Sequence, residues 1–131
     1  MKHVLLFTLI LFFAMSLKAQ DIAGKWEGTL RIQGAELPLV FKITKNNDIY
    51  TTVMDSPAQG SRDIPIEETR FINNRLSLSS PKLGIKFAGT FMPDSNKIDG
   101  IFNQAKFSLP LKLLRSTMKD DIYYFKPPVK F

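Results

Sequence analysis

A chain of 131 residues with no cysteine, one histidine and a formal charge of +6 has room for one domain, and that domain must build its core without disulfide staples. Its lysines are scattered rather than run together, the pattern of a solvated face, and no basic stripe interleaved with aromatics points to nucleic acid. The single histidine, His3, falls inside a leader-like segment: Met1-Lys2-His3 is a short basic region, Val4 to Met15 an apolar run, and Leu17-Lys18-Ala19 a small-residue cleavage site, the three parts of a secretory signal.

The apolar run is short for a bilayer span and no stop-transfer pattern follows it. Residues 1–19 are therefore predicted to be a signal peptide cleaved near Ala19, leaving an exported form, periplasmic or secreted, without a membrane span. Cleavage leaves 112 residues and takes Lys2 and Lys18 with it, lowering the formal charge from +6 to +4. The mature chain then has neither His nor Cys. A Ser-His-Asp triad, a Cys-His pair and the common zinc sites are excluded on composition, and no cofactor is expected.

From Gly24 onward, apolar and polar residues alternate with the period of a half-buried strand. Trp26, Gly28, Leu30 and Ile32 fall on one face; after a turn at Gly34-Ala35-Glu36, Leu37, Leu39, Phe41 and Ile43 repeat the pattern. Lys45-Asn46-Asn47-Asp48 is turn chemistry, and Ile49 to Met54 makes a third strand. Asp55 to Pro65, with two prolines and Gly60, is predicted to be the longest break between strands. Strand pattern resumes from Ile66 to Ile72, turns at Asn73-Asn74, and continues through Leu76 and Leu78. Pro81 to Gly84 turns into Ile85, Phe87, Gly89 and Phe91; Met92 to Lys97 turns into Ile98, Gly100 and Phe102; Phe107, Leu109, Leu111 and Leu113 end the series at Arg115.

These are about eight short strands at a spacing of roughly 8 to 12 residues, with no helical period among them. Consecutive hairpins favour an all-β, antiparallel up-and-down barrel over residues 20–115, because closure removes the open edges that invite aggregation. A two-sheet sandwich is the alternative. Residues 116–131 read as a tail in which Lys119-Asp120-Asp121 precedes Ile122-Tyr123-Tyr124-Phe125 and two prolines; such an aromatic cluster suits either packing along the barrel or a partner interface. Pro38 and Pro110 must sit where a missing N–H is not needed, at edges, bulges or strand starts.

Two resemblances rest on particular residues. Gly24-x-Trp26 in the first strand, with Arg115 after the last, is similar to the barrel closure of lipocalins and fatty-acid-binding proteins. The resemblance implies a lipocalin-like barrel whose end is plugged by Trp26 and crossed by Arg115. Trp26-x-Gly28-x-Leu30, Asp55-Ser56-Pro57-x-Gln59-Gly60, Ile64-Pro65, Gly89, Ile98-x-Gly100-x-Phe102-x-Gln104, Leu109-Pro110-Leu111 and Lys126-Pro127-Pro128 resemble the β-domain that precedes an α/β-hydrolase domain in some exported bacterial proteins. The chain departs from that pattern in having no Gly-x-Ser-x-Gly elbow. The resemblance thus implies an accessory β-domain, acting with a separately encoded hydrolase or remaining from such a fusion, and it carries over no hydrolytic activity.

Site candidates follow from loops and barrel ends. Asp55, Ser56 and Gln59 lie in the long loop, where binding chemistry usually sits on a rigid scaffold, although the same residues can serve the loop's own turns. Gln104, ending its strand, can reach the same barrel end and offers both donor and acceptor. Phe41, Phe87, Phe91, Phe102 and Phe107 alternate as core residues should, and the inward glycines 28, 89 and 100 suit either interior space or tight coiling. Glu67 and Glu68, adjacent in a strand, point to opposite faces and cannot act as a carboxylate pair. Asp94, Asn96 and Asp99 are ordinary turn residues rather than a calcium set. No catalytic and no metal-binding residue is predicted. The expected function is a non-catalytic binding or accessory module for a small apolar ligand or a partner protein, with an α/β-hydrolase as the partner that the resemblance implies.

Overall fold

The computed structural model describes residues 21–116, so the predicted signal peptide and the tail beyond Ser116 lie outside the described residues. Nine strands follow one another: β1 (Gly24–Ile32), β2 (Ala35–Asn46), β3 (Ile49–Ser56), β4 (Ser61–Ile66), β5 (Glu68–Ile72), β6 (Arg75–Ser80), β7 (Ile85–Met92), β8 (Lys97–Gln104) and β9 (Phe107–Arg115), with one 3-10 turn at Pro57–Gln59. They form a single antiparallel sheet in the order β4-β3-β2-β1-β9-β8-β7-β6-β5. First and last strands meet through Trp26↔Arg115 and Glu27↔Leu114, giving a nearly closed up-and-down barrel.

The extra strand has a specific cause. β4 and β5 end the sheet order yet are separated by one residue, Glu67. They are halves of one bent strand, the first pairing with β3 and the second with β6. The wall therefore closes by chain continuity across the bend rather than by a ladder. Side chains bridge the remaining seam between β3 and β5: the Thr52 and Thr69 hydroxyls are 2.8 Å apart, and the Tyr50 and Phe71 rings meet edge to face at 6.0 Å.

The predicted break at Asp55 to Pro65 is shorter than the composition suggests. Pro57–Gln59 and Gly60, at φ 67°, reverse the chain within four residues, and Ser61–Ile66 then pairs with β3, Pro65 lying opposite Val53. Among the described residues β3 is the only ladder partner of β4, which leaves a side where a missing N–H costs nothing. Pro38 and Pro110 obey the same rule. Pro38 lies before the β2–β3 ladder begins at Val40, and Pro110 lies outside the short β1–β9 ladder.

Two-residue hairpins connect several strands. Asn47 and Asp48 (φ 47° and 65°), Asn73 and Asn74 (52° and 62°), and Gln33 and Gly34 (49° and 82°) all have positive φ at both turn positions, the backbone that matches strand twist in tight hairpins. The first of these turns is thus Gln33-Gly34, and Ala35 and Glu36 already belong to β2.

The barrel interior is filled with side chains. Trp26 meets Phe91 edge to face at 5.8 Å, Phe41 on β2 stacks on Phe87 on β7 at 6.0 Å, and Phe71 contacts Phe91 at 6.1 Å. The inward glycines leave no gap among these rings. A Cβ on Gly89 would lie 2.9 Å from the Phe87 ring, one on Gly100 would meet the Ala88 carbonyl oxygen, and one on Gly28 would lie 2.7 Å from Leu111 Cδ1. Glycine here permits close strand approach under large neighbours.

Candidate functional site

Strand alternation gives the barrel two ends of different character. At the end where β1 begins, the chain before it folds across the opening. Ile22 and Trp26 are fully buried, and the Trp26 indole N–H donates to the Ile22 carbonyl at 2.8 Å. The Arg115 guanidinium lies 4.3 Å above the indole ring and donates to the carbonyls of Asp21 and Ala23, both at 2.8 Å, and to Asn96 Oδ1 at 2.9 Å. Gly24 has φ 136°, and a Cβ there would come within 2.9 Å of the guanidinium. Asp21 accepts from the Ala23 N–H and the Tyr50 hydroxyl. The Ala23 bond chiefly holds the Asp21 carboxyl below its ordinary pKa, while burial and then Asp21 raise that of Tyr50.

The opposite end carries the connections Gln33–Gly34, Pro57–Gly60, Pro81–Gly84 and Ala105–Lys106. Half-buried Ile32, Leu37, Ile64 and Leu109 pack against the core toward this end. Phe107, predicted to be a core residue, is 48% exposed. It is the first residue of β9 and pairs with Gln104, the last of β8, so the inward side of its strand has run past the filled interior.

The predicted polar residues separate into two groups here. Ser56 is buried and its hydroxyl donates to Gln59 Oε1 at 2.7 Å, tying the 3-10 turn to the end of β3. Asp55, one residue earlier, faces the outside of the wall. Its carboxylate accepts from the Asp63 N–H at 2.7 Å and pairs with the Lys42 ammonium at 3.1 Å, which also bonds Asp63. Burial works against the Lys42 charge, but its hydrogen bonds to Asp63 and Asp55 outweigh it and raise the Lys42 pKa above the ordinary lysine value. Gln104 does not join them. It is exposed on β8, separated from β3 by β2, β1 and β9. Asp55, Ser56 and Gln59 thus pin a loop, and Gln104 belongs to a different part of the rim.

That second part contains a groove of about 440 Å³ between the β6–β7 and β8–β9 turns, lined by Ser79, Ser80, Gly84, Lys86, Asn103 and Ala105 among others. Register explains the lining: Ser79, Lys86, Asn103 and Ser108 stand opposite one another across four strands. The two turns that bound it also carry exposed apolar residues, Leu83, 38% exposed, in the β6–β7 turn and Phe107 directly after the β8–β9 turn. Of the predicted site residues Gln104 alone falls in this part of the rim, opposite Phe107; Leu83 lies in a turn and Phe107 continues a core alternation, so neither stands out in the sequence. The available signal was the polar partner Gln104 opposite Phe107, which marks a strand end.

Among the described residues there is no cysteine and no group of three or more His, Cys, Asp or Glu able to hold a metal. No described helix is long and apolar enough to cross a membrane. No family model, curated protein or solved structure matches the chain.

Proposed function

We propose that the protein is an exported, non-catalytic binding module that takes up an apolar group of a ligand or partner at the end of the barrel carrying Phe107. The observation that carries this reading is the exposed Phe107 ring on a rim of half-buried Ile32, Leu37 and Leu109, at the end away from the Trp26–Arg115 plug. Contiguous apolar surface rimmed by polar residues is where soluble domains engage ligands and partners. The rings in contact through the interior, from β1, β2, β3, β5 and β7, favour engagement at the rim over a ligand enclosed in the barrel. A partner α/β-hydrolase is the protein class suggested by the resemblance of the β-domain motifs.

Native mass spectrometry of the mature chain purified from its host tests the proposal, with Phe107→Ser as the comparison. A bound species that disappears in the variant is expected. A small molecule retained equally by both forms would instead favour the enclosed-ligand reading, and turnover of ester or glycoside substrates by the purified chain would overturn the non-catalytic assignment.

A further inference from the structure

We infer that the rim bearing Leu83 and Phe107 docks on the surface of an anionic lipid bilayer, with the groove between the two turns receiving a lipid headgroup. This inference rests on the reading of that end as the binding end and names what it binds.

Both turns present one large apolar residue beside lysines: Lys82-Leu83 with Lys86 on the β6–β7 side, and Lys106-Phe107 on the β8–β9 side. Neither 81–86 nor 103–108 contains an acidic residue. The carboxylate that reaches this region, Glu67, accepts the Lys82 N–H at 3.1 Å and the Ser80 hydroxyl at 3.4 Å, from the bend between β4 and β5. Glu68, beside it, stands opposite Ser79 on the far side of β6 from Lys86. Both carboxylates thus come from the β5 side of the groove, Glu67 bonding Ser80 in its lining, and Lys82, Lys86 and Lys106 are exposed.

The tips are held in position before any contact is made. Leu83 N–H bonds the Ser80 carbonyl at 3.1 Å and Gly84 N–H the Pro81 carbonyl at 3.2 Å, and Ala105 holds φ at 51° in the neighbouring turn. Two fixed apolar side chains can enter the acyl boundary with little ordering cost, while lysines around them stay at the headgroup level. Lys86, Asn103 and Ser79 are among the residues that line the groove between the two turns, and their ammonium, amide and hydroxyl groups are a donor set suited to phosphate oxygens. Apolar tips and cations on one rim complement a surface that is apolar within and negative outside. An acidic protein segment would also match the charge, but it would not call for two separate projecting tips.

Co-flotation of the purified mature chain with vesicles tests the inference. Vesicles of phosphatidylglycerol and phosphatidylcholine at 3:7 are expected to carry the protein, and pure phosphatidylcholine vesicles are not. The double variant Leu83→Ser/Phe107→Ser should bind at least about tenfold more weakly. Lys82→Gln/Lys86→Gln/Lys106→Gln should lose about 100-fold, three charges at roughly fivefold each. Unchanged far-ultraviolet circular dichroism and melting in both variants keep a folding defect from passing as a binding defect. Flotation with neither vesicle, or flotation that ignores both variants, overturns the inference. If flotation fails while native mass spectrometry still finds a Phe107-dependent bound species, the lipid surface is wrong and the binding end stands. Loss of both results removes the binding end itself.

Discussion

Where β1 begins, the barrel is sealed by three hydrogen bonds from one guanidinium over a fully buried indole, and the residues before the first strand form the floor. On the outer wall a charge cluster at Lys42, Asp55 and Asp63 pins the loop after β3, and where β1 finishes the rim keeps Phe107 and Leu83 in solvent. The sealed end uses its largest side chain for closure and leaves Ile49, Ile72, Met92 and Leu114 exposed, whereas the other end leaves an aromatic ring, Phe107, outside. Phe107 takes no part in the ring contacts of the interior, which leaves its exposed face for contact with something else.

The largest effect on this contrast should come from the sealed end. Trp26→Ala removes the indole beneath Arg115 and opens a cavity, lowering unfolding free energy by about 4 kcal/mol in urea titrations. Gly100→Ala, in the ring layer that separates the two ends, should cost about 3 kcal/mol by overpacking, because its methyl meets backbone at Ala88 and Gly89 rather than a flexible side-chain tip. Arg115→Lys keeps the charge but not the planar fork, and should lose about 2 kcal/mol. A variant as stable as the parent at any of these positions would break the account of the plug or of the filled layer.

At the pinned loop, Lys42→Met leaves the Asp55 carboxylate, whose side chain is 6% exposed, without its ammonium partner, and about 1.5 kcal/mol is expected to be lost. Here pH sharpens the comparison. The Lys42 pKa is raised on folding, so its contribution is fully present below the unfolded value of 10.5 and is lost as pH rises through the higher folded value. Tyr50 at the sealed end, raised from 10.0, acts in the same direction. Asp21 is depressed, so its contribution is present above 3.8 and is lost as pH falls through the lower folded value. Alkaline melts should therefore be less steep in Lys42→Met, and acid melts less steep in Asp21→Asn. The smallest stability effect belongs to Phe107→Ser, under about 1 kcal/mol for a half-exposed ring, although among these stability variants it is the one that should lose the bound species.

Alternation alone made the wall legible. Trp26, Leu30, Phe41, Phe87, Phe91, Ile98, Phe102, Leu111 and Leu113 lie on predicted inward faces and are buried, because the two-residue period of a strand is a local property. The Asn-rich turns were legible for the same reason, since Asn47-Asp48 and Asn73-Asn74 carry the left-handed backbone within themselves. The bend at Glu67 was not. Its consequence, that Ser61–Ile66 joins β3 while Glu68–Ile72 joins β6, depends on partners distant in sequence. Nor was the parting of Asp55 from Gln104, whose separation is set by the three strands between them.

From the residues by themselves came an all-β barrel of about eight strands, the positions of most turns, and a chain with no cysteine whose one histidine, His3, lies in the leader-like segment. Only the tertiary structure decided that Gly28, Gly89 and Gly100 lie beneath neighbouring side chains rather than around a void, that Asp55 serves a loop, and that Phe107 stands outside the core. The physical reason is range. A side chain's face is set by its own strand, but whether that face meets a filled interior or solvent depends on where the strand ends relative to neighbours that the chain reaches only after tens of residues.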